Sequence, residues 1–375
     1  MNKLNKVNVY YQNRKVGTLA LYKDYLAAFE YDREWLMEGF SISPFSLPLK
    51  AGVFIPKIDP FDGVFGIFAD SMPDGWGRLL VDRFLLSKGI NPREIGTLDR
   101  LAIVGNSGMG ALTYEPDQHF EQSYPDMGLD EIAEECSKVL RTDRSEKLDE
   151  LFLMGGSSGG ARPKILTKID GEEWIIKFPS SDDRNDIGKQ EYEYSLCAKK
   201  CGVEMEETRL FPSNICQGYF GTKRFDRIKL DNGETKRIHM ASVSGLLETS
   251  HRIPNLDYDI LMKLALELTK DYEQVEKLYK LMCFNVFAHN RDDHSKNFSF
   301  LYNEEKDGWI LAPAYDLTYS YSIGGEHATT VHGEGKTPNI QNILNVAENI
   351  GMNRRHAEMV ARDIRDCVME SGIGK

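Results

Sequence analysis

Residues 289–301 read HNRDDHSKNFSFL, and the run changes character in the middle. Every position from His289 to Asn297 is polar or ionisable. Upstream, YEQVEKLYKLMCFNVFA (272–288) repeats apolar residues at three- and four-residue steps, the spacing of a helix. Downstream, FSFLY and WILAP, joined by NEEKDG, have the composition of two short strands in a hairpin, and Ala314-Tyr315-Asp316 follows. Packing does not ask for such a polar run between two apolar elements, so it is read as chemistry rather than as a solvated loop.

The spacing says which chemistry. A protein-kinase catalytic loop sets its base Asp and its metal-binding Asn five residues apart, as Asp292 and Asn297 are here. A hairpin must then return a second metal-binding carboxylate, and Asp316 arrives after the two strand-like runs. A rival reading takes His289, Asp292, Asp293 and His294 as ligands of a hydrolytic metal. It leaves Asn297, Asp316 and a distant glycine loop without a role.

That glycine loop lies in LFLMGGSSGGARPK (151–164), opening at Met154. Glycines let backbone N–H groups approach phosphate oxygens unobstructed. PKILTKI and EEWIIKF then flank Asp170-Gly171, a hairpin signal. Strand alternation puts Trp174, Ile176 and Phe178 on one face, Ile175 and Lys177 on the other. A buried lysine there needs an anionic partner, and a nucleotide phosphate is one candidate. Glu191, on a helix expected over 187–201, is placed to orient Lys177. The order loop, strand, turn, strand, Lys, helix, Glu resembles a protein-kinase N-lobe, although neither GxGxxG nor GxxxxGK[ST] is present. The bland alternative is a flexible surface loop and a lysine snorkelling at a sheet edge.

Elsewhere, residues 7–31 read as short strands with Gly17 and Asp24 in the turns, and a Pro- and Ser-containing loop occupies 41–60. FADSMPDGWGRLLVDRFLLSKG predicts one amphipathic helix, with Pro73 early and Gly89 past its end. Further helices are expected over 129–140, from about 255 onward and over 353–370. RTDRSEKLDE (141–150) is a solvated helix face or a boundary. Trp76 reads as core. His239, His327 and His332 read as structural or solvated. Lys223, Arg224, Arg227, Lys229, Lys236 and Arg237 read as a solvated face. Six scattered cysteines, with only Cys197 and Cys201 close in sequence, suggest reduced thiols and no zinc site.

At 375 residues the chain is too long for one simple core. Its 41% hydrophobic content argues against wholesale disorder. The formal charge of −12 argues against nucleic-acid binding by bulk electrostatics. No apolar run approaches a membrane span, and the N-terminal stretch lacks the apolar core of a signal peptide, so a cytoplasmic protein with no membrane partner is expected.

SSGGARPKIL, WIIKFPS, QEYEYSLCAKKCGV, KRFDR, NRDDHSKNFSFL and LAPAYDLTYS together resemble the HipA-like serine/threonine kinases of bacterial toxin–antitoxin operons. SMPDGWGRLL and the strands before it resemble that family's N-terminal subdomain, so the likeness covers nearly the whole chain. It implies an α+β, protein-kinase-like two-lobed fold: an N-terminal subdomain at 1–115, the rest of the N-lobe at 116–255, and a helical C-terminal lobe at 256–375. It also implies use of ATP and Mg²⁺ and a HipB-like helix-turn-helix antitoxin as partner, with DNA reached mainly through that antitoxin. The substrate is then a protein serine; members of the family include ones that phosphorylate glutamyl-tRNA synthetase. By position, Asp292 is the catalytic base, and Asn297 and Asp316 hold the metal. Gly159, Gly160, Ala161, Lys164 and Lys177 meet the nucleotide, with Lys223, Arg224 and Phe225 as the hinge and His294, Lys296 and Tyr315 beside it. Ser157 matches an autophosphorylated loop serine, with Ser158 as second choice. Two other readings stay open: a nucleotide-binding co-repressor working with an antitoxin, and a kinase with no toxic role.

Overall fold

A computed structural model describes residues 3–118, 127–143, 145–156 and 159–373. The chain divides into two compact units: Met1–Gly188 with Leu210–Ala241 and Gly245–Thr249, and Lys189–Arg209 with Ser242–Ser244 and Ser250–Lys375.

The first unit carries two larger sheets and a short ribbon pairing Arg227–Lys229 with Thr235–Arg237. One is built from β1 (Lys6–Tyr11), β2 (Arg14–Tyr22), β3 (Leu26–Tyr31), β4 (Val53–Phe54) and β5 (Leu112–Glu115), in the order β4-β3-β2-β1-β5. Left-handed residues close its hairpins: Gln12-Asn13 form the two-residue turn between β1 and β2, and Lys23 and Asp24 lie in the three-residue loop between β2 and β3. Gly17, expected in a turn, instead lies inside β2. A Cβ there would stand 2.3 Å from the Glu30 carbonyl oxygen, so the close approach of β3 excludes any side chain.

The second sheet has the order β6-β7-β9-β8, from β6 (Lys164–Ile169), β7 (Glu172–Lys177), β8 (Thr208–Phe211) and β9 (Tyr219–Lys223). Asp170 and Gly171 both have positive φ and turn β6 into β7, as the sequence predicts. Trp174, Ile176 and Phe178 are buried on one face, while Ile175 and Lys177 stay half-buried on the other. The core beneath this sheet takes in helices Gly75–Ser87, Leu129–Leu140 and Leu148–Gly155. That last helix corrects the expectation that the glycine loop opens at Met154. Leu151, Phe152 and Met154 are drawn into the core, and the Phe152 ring stacks on Phe84 at 4.2 Å. Pro73 likewise lies before the helix, which starts at Gly75 after Asp74.

The basic residues near 224–237 depart furthest from expectation. Arg224, Arg227 and Arg237 are not solvated. The first two hold Asp226 at 2.8 Å each and approach Glu173 at 3.5 and 3.4 Å. Together the three guanidiniums donate to the carbonyls of Asn106, Gly108 and Gly110, pinning the GNSGMG turn (105–110). A polar cavity of about 200 Å³ lies among them. Burial opposes ionisation of Asp226, but the neighbouring guanidiniums outweigh it and hold the carboxyl far below its usual range. A turn with this many exposed carbonyls needs donors, and planar arginine forks supply several each.

The second unit is mostly helical: Tyr258–Thr269, Tyr272–Phe287, Ile340–Asn349 and Arg354–Ser371, with most of Ile187–Lys200. Asp257 and Asp271 cap the first two by accepting backbone N–H groups of Asp259 and Glu273. Strands Ser299–Asn303 and Gly308–Leu311 form the expected hairpin, with Phe300 opposite Leu311. Among the described residues no helix is long and apolar enough to cross a membrane.

His239 provides a test of the first unit. It is fully buried against Tyr11 and Phe40, and its Nε2–H donates to the Ile42 carbonyl at 2.9 Å. Burial pulls its pKa down to about 4. The unfolded chain therefore binds a proton between about pH 6.5 and 4 that the folded chain does not, and stability falls as pH drops through that window. Denaturant titrations should show roughly 3 kcal/mol lost from this group, and His239→Leu should flatten that acid limb.

Candidate active site

The second unit carries the polar run. Helix Tyr272–Phe287 ends at Ala288, and His289 takes a left-handed backbone that turns the chain out of the helix. Tyr194, on helix Ile187–Lys200, donates its hydroxyl to the Ala288 carbonyl at 2.8 Å and fixes that exit. The segment after Asp316 straps the loop from outside: Ser320 N–H bonds the His289 carbonyl and Ala328 N–H the Arg291 carbonyl.

The two adjacent aspartates have opposite fates. Asp293 is fully buried. Its Oδ2 accepts from the Tyr258 hydroxyl and from His327 Nδ1, each at 2.9 Å, and its Oδ1 accepts from Thr329 N–H at 3.1 Å. Thr329 Oγ1 donates to its main-chain oxygen. Tyr258 also receives Asn285, which receives Asn290, so the network runs back into the helix. Burial, then the Asp293 charge, pushes the Tyr258 hydroxyl well above its ordinary pKa. Asp292, by contrast, has 61% of its side chain exposed. Consecutive residues of an extended loop point opposite ways, so anchoring one carboxylate presents the other.

Asn297 is tied to the same position. Its Nδ2 donates to the Asp292 carbonyl at 2.6 Å and its N–H to the His294 carbonyl at 2.8 Å. The amide nitrogen thus has its acceptor, and the hard Oδ1 is the atom available to a cation. His294 Nδ1 accepts from Lys296 N–H at 3.2 Å, which puts the neutral ring's proton on Nε2, 3.8 Å from the Asp292 carboxylate. Tyr315 bonds the Lys296 carbonyl at 2.7 Å and Ser299 at 2.6 Å, so its hydroxyl braces the loop. Asp316 has a left-handed backbone, φ 54°. A left-handed residue of this kind is uncommon and clusters at functional positions.

The first unit carries the glycine loop. Gly160, at φ 83°, donates its N–H to Asp74, and its carbonyl accepts from Trp76 N–H at 2.9 Å. The Trp76 indole donates to the Lys164 carbonyl at 3.1 Å. Gly75 must be glycine, because a Cβ there would lie 2.3 Å from the Gly160 oxygen. Trp76 is therefore core, as read from the sequence, and it also clamps this loop. A Cβ on Gly160 would meet the Lys164 ammonium at 2.6 Å. Lys164 pairs directly with Lys177 across the β6–β7 ladder, and Lys177 lies over the Phe220 ring at 5.4 Å. Two like charges opposite each other in a ladder are unfavourable, and an anion shared between them offsets that. Arg162 is held by Asp183 and Lys223 by Glu172, at 2.6 Å for the latter. The Arg224 side chain belongs to the Asp226 network. Glu191 is buried in the second unit, and Phe225 is half-buried in the first. Ser157 and Ser158 lie outside the described residues.

Sequence reasoning missed the anchors: Tyr258, Asn285, His327 and Thr329. His327 reads as structural, and it is, but its partner lies 34 residues away. The doubled aspartate is the one available signal, since both carboxylates cannot share one environment.

Residues 7–115 match the HipA N-terminal domain and residues 156–371 the HipA-like C-terminal domain. A protein of Sinorhizobium fredii named "Putative kinase Y4mE" is 26% identical over 341 residues, covering 83% of this chain and 76% of its own. HipA of Shewanella oneidensis, solved with HipB and its operator DNA, superposes with a TM-score of 0.69 at 18% identity, over 97% of this chain and 90% of that one. The Helicobacter pylori proinflammatory kinase CtkA gives a TM-score of 0.38 at 13% identity, over 56% of this chain and 89% of that one.

The two aspartates predict opposite melting behaviour. Asp293→Ala removes the centre of a buried network and should cost about 3–5 kcal/mol. Asp292→Asn, at an exposed carboxylate, should stay within about 0.5 kcal/mol of wild type. Chemical denaturation of the two variants checks this.

Proposed function

The chain belongs to the HipA-like family, and on that premise we propose that it is an ATP-dependent serine/threonine-protein kinase, the toxin of a type II toxin–antitoxin pair. What supports this reading best is the division of labour in HNRDDHSKN: Asp293 is buried and fully bonded, while Asp292 is presented to solvent with the Asn297 amide fastened to its carbonyl.

Asp292 accepts the proton of the acceptor hydroxyl as the γ-phosphate is transferred, with His294 beside it and Lys296 and Tyr315 shaping the loop. Asn297 and Asp316 supply an amide and a carboxylate oxygen, the hard donors that suit Mg²⁺. When bound, that ion neutralises charge on the β- and γ-phosphates. Lys164 and Lys177 carry positive charge for the phosphates, Gly159, Gly160 and Ala161 offer unobstructed backbone, and Glu191 orients Lys177. The backbone of Lys223, Arg224 and Phe225 serves the base, since the first two side chains are engaged elsewhere. Phosphoryl transfer is largely positioning and charge neutralisation, so few residues suffice. Ser157, with Ser158 as second choice, is proposed as the autophosphorylation site. A phosphate there would be repelled by ATP and drawn to basic groups, holding the loop open.

The partner proposed is a HipB-like helix-turn-helix antitoxin, and the substrate a protein serine. The S. oneidensis HipA was solved together with HipB and operator DNA. The −12 charge here repels DNA phosphates at long range, so the antitoxin supplies most of the operator affinity.

Asp292→Asn should bind Mg·ATP within a few-fold of wild type and lose about 10²–10⁴-fold in transfer. Mass spectrometry should find phosphate on Ser157 or Ser158 in active protein and on neither in the variant. Near-wild-type transfer by the variant would overturn the assignment of the base.

In a mobility-shift assay the isolated chain should bind its operator only weakly, and addition of the antitoxin should produce the tight complex. Nanomolar binding by the chain alone at physiological salt would refute the division of roles.

A further inference from the structure

Cys197, Cys201 and Cys367 are far from the catalytic loop in sequence, and the proposed reaction uses none of them. Cys197 and Cys201 lie one turn apart at the end of helix Ile187–Lys200, so their side chains share a face. Helix Arg354–Ser371, packed into the same unit, brings Cys367 to them. All six cysteines of the chain are free thiols. The three sulfurs lie within 4.8 Å of one another, and Cys197 and Cys201 are 3.9 Å apart. Among the described residues this is the one such group of potential ligands.

The distances carry chemical information. With Zn–S bonds of about 2.3 Å in a tetrahedron, the sulfurs stand about 3.8 Å apart. The Cys197–Cys201 separation already has that value, and closing the triangle onto Cys367 asks for less than an ångström. A disulfide would join two of the sulfurs and leave the third without a role, whereas a thiophilic cation engages all three. Soft thiolate donors select Zn²⁺ over Mg²⁺ or Ca²⁺. Cys197 is buried while Cys201 and Cys367 are half-exposed, which gives an ion an entry path. The sequence alone suggested no zinc site, because the third ligand is supplied by a helix 166 residues beyond Cys201.

We propose that Cys197, Cys201 and Cys367 form a trithiolate Zn²⁺ site, with solvent in the fourth position, that fastens the C-terminal helix to the helix bearing Glu191. Binding replaces the thiol protons, which pass to solvent, and involves no change of oxidation state. The site is independent of the kinase reading, and its test does not use activity.

The full chain, reduced and stripped with a chelator, is titrated with Co²⁺ as a spectroscopic probe and then with Zn²⁺ in competition. One equivalent of Co²⁺ should produce a sulfur-to-cobalt charge-transfer band and tetrahedral d–d bands, both removed by Zn²⁺. Zn²⁺ should raise the melting temperature, because it binds the folded chain preferentially. Cys367→Ser should lose the bands and weaken Zn²⁺ binding at least tenfold. Cys367→Ala, free of any replacement oxygen ligand, should do the same, and both half-exposed substitutions should leave far-ultraviolet circular dichroism intact. Cys216→Ser, outside the cluster, should bind as wild type. Absence of the charge-transfer band in reduced protein would overturn the proposal. So would a band that survives in both Cys367 variants, or a disulfide within the trio formed on mild oxidation by protein that binds no Zn²⁺ when reduced.

Discussion

A single buried carboxylate organises the polar run from His289 to Asn297. Asp293 collects the hydroxyl of Tyr258, the ring of His327 and both the amide and the hydroxyl of Thr329, from two separate stretches of the second unit. An isolated charge at such depth is prohibitive, and one surrounded by donors is tolerated only while all of them remain in place. The loop therefore has one conformation available to it. Asp292, Asn297 and His294 take their positions from that constraint together with the bonds that tie Asn297 to the Asp292 and His294 carbonyls. Asp292 is thereby exposed while its neighbour in sequence is held hard.

The first unit solves a related problem with backbone. Its GNSGMG turn and its glycine loop both expose carbonyls and amides that no ladder satisfies. Three arginines bind the carbonyls of the former, while Asp74 and Trp76 take an amide and a carbonyl of the latter. Both sets of restraints reach across long sequence separations, so the N-terminal segment and the strands after residue 160 fold as one body.

Local signals in the sequence were read well. Apolar periodicity located the long helices, Asp170-Gly171 located its hairpin, and alternation assigned the faces of β7. Readings failed where tertiary context overrode a residue's usual behaviour. Arginines near 224–237 look solvated because arginine is seldom buried, and nothing local announces Asp226 and three carbonyls waiting for them. Gly17 looks like a turn because its real reason, the approach of β3, is a matter of pairing. LFLMG looks like the edge of a glycine loop because a helix of eight residues leaves too few positions to show a period. At the candidate site, Asp292 and Asn297 were visible by spacing, whereas the scaffold of Asp293 was not, being assembled from residues 258, 285, 327 and 329.

The opposed lysines of the β6–β7 ladder bear on how such a chain drifts over generations. A lysine facing a lysine across a ladder carries a like-charge penalty that an anion shared between them offsets. Purifying selection for an anionic ligand is what would keep both. Lineages that abandoned nucleotide chemistry for a purely architectural role would be free to repair the defect, and one of the two lysines would be among the first residues to disappear. The pair at 164 and 177 would thus serve as a gauge of whether a chain of this family still meets an anion.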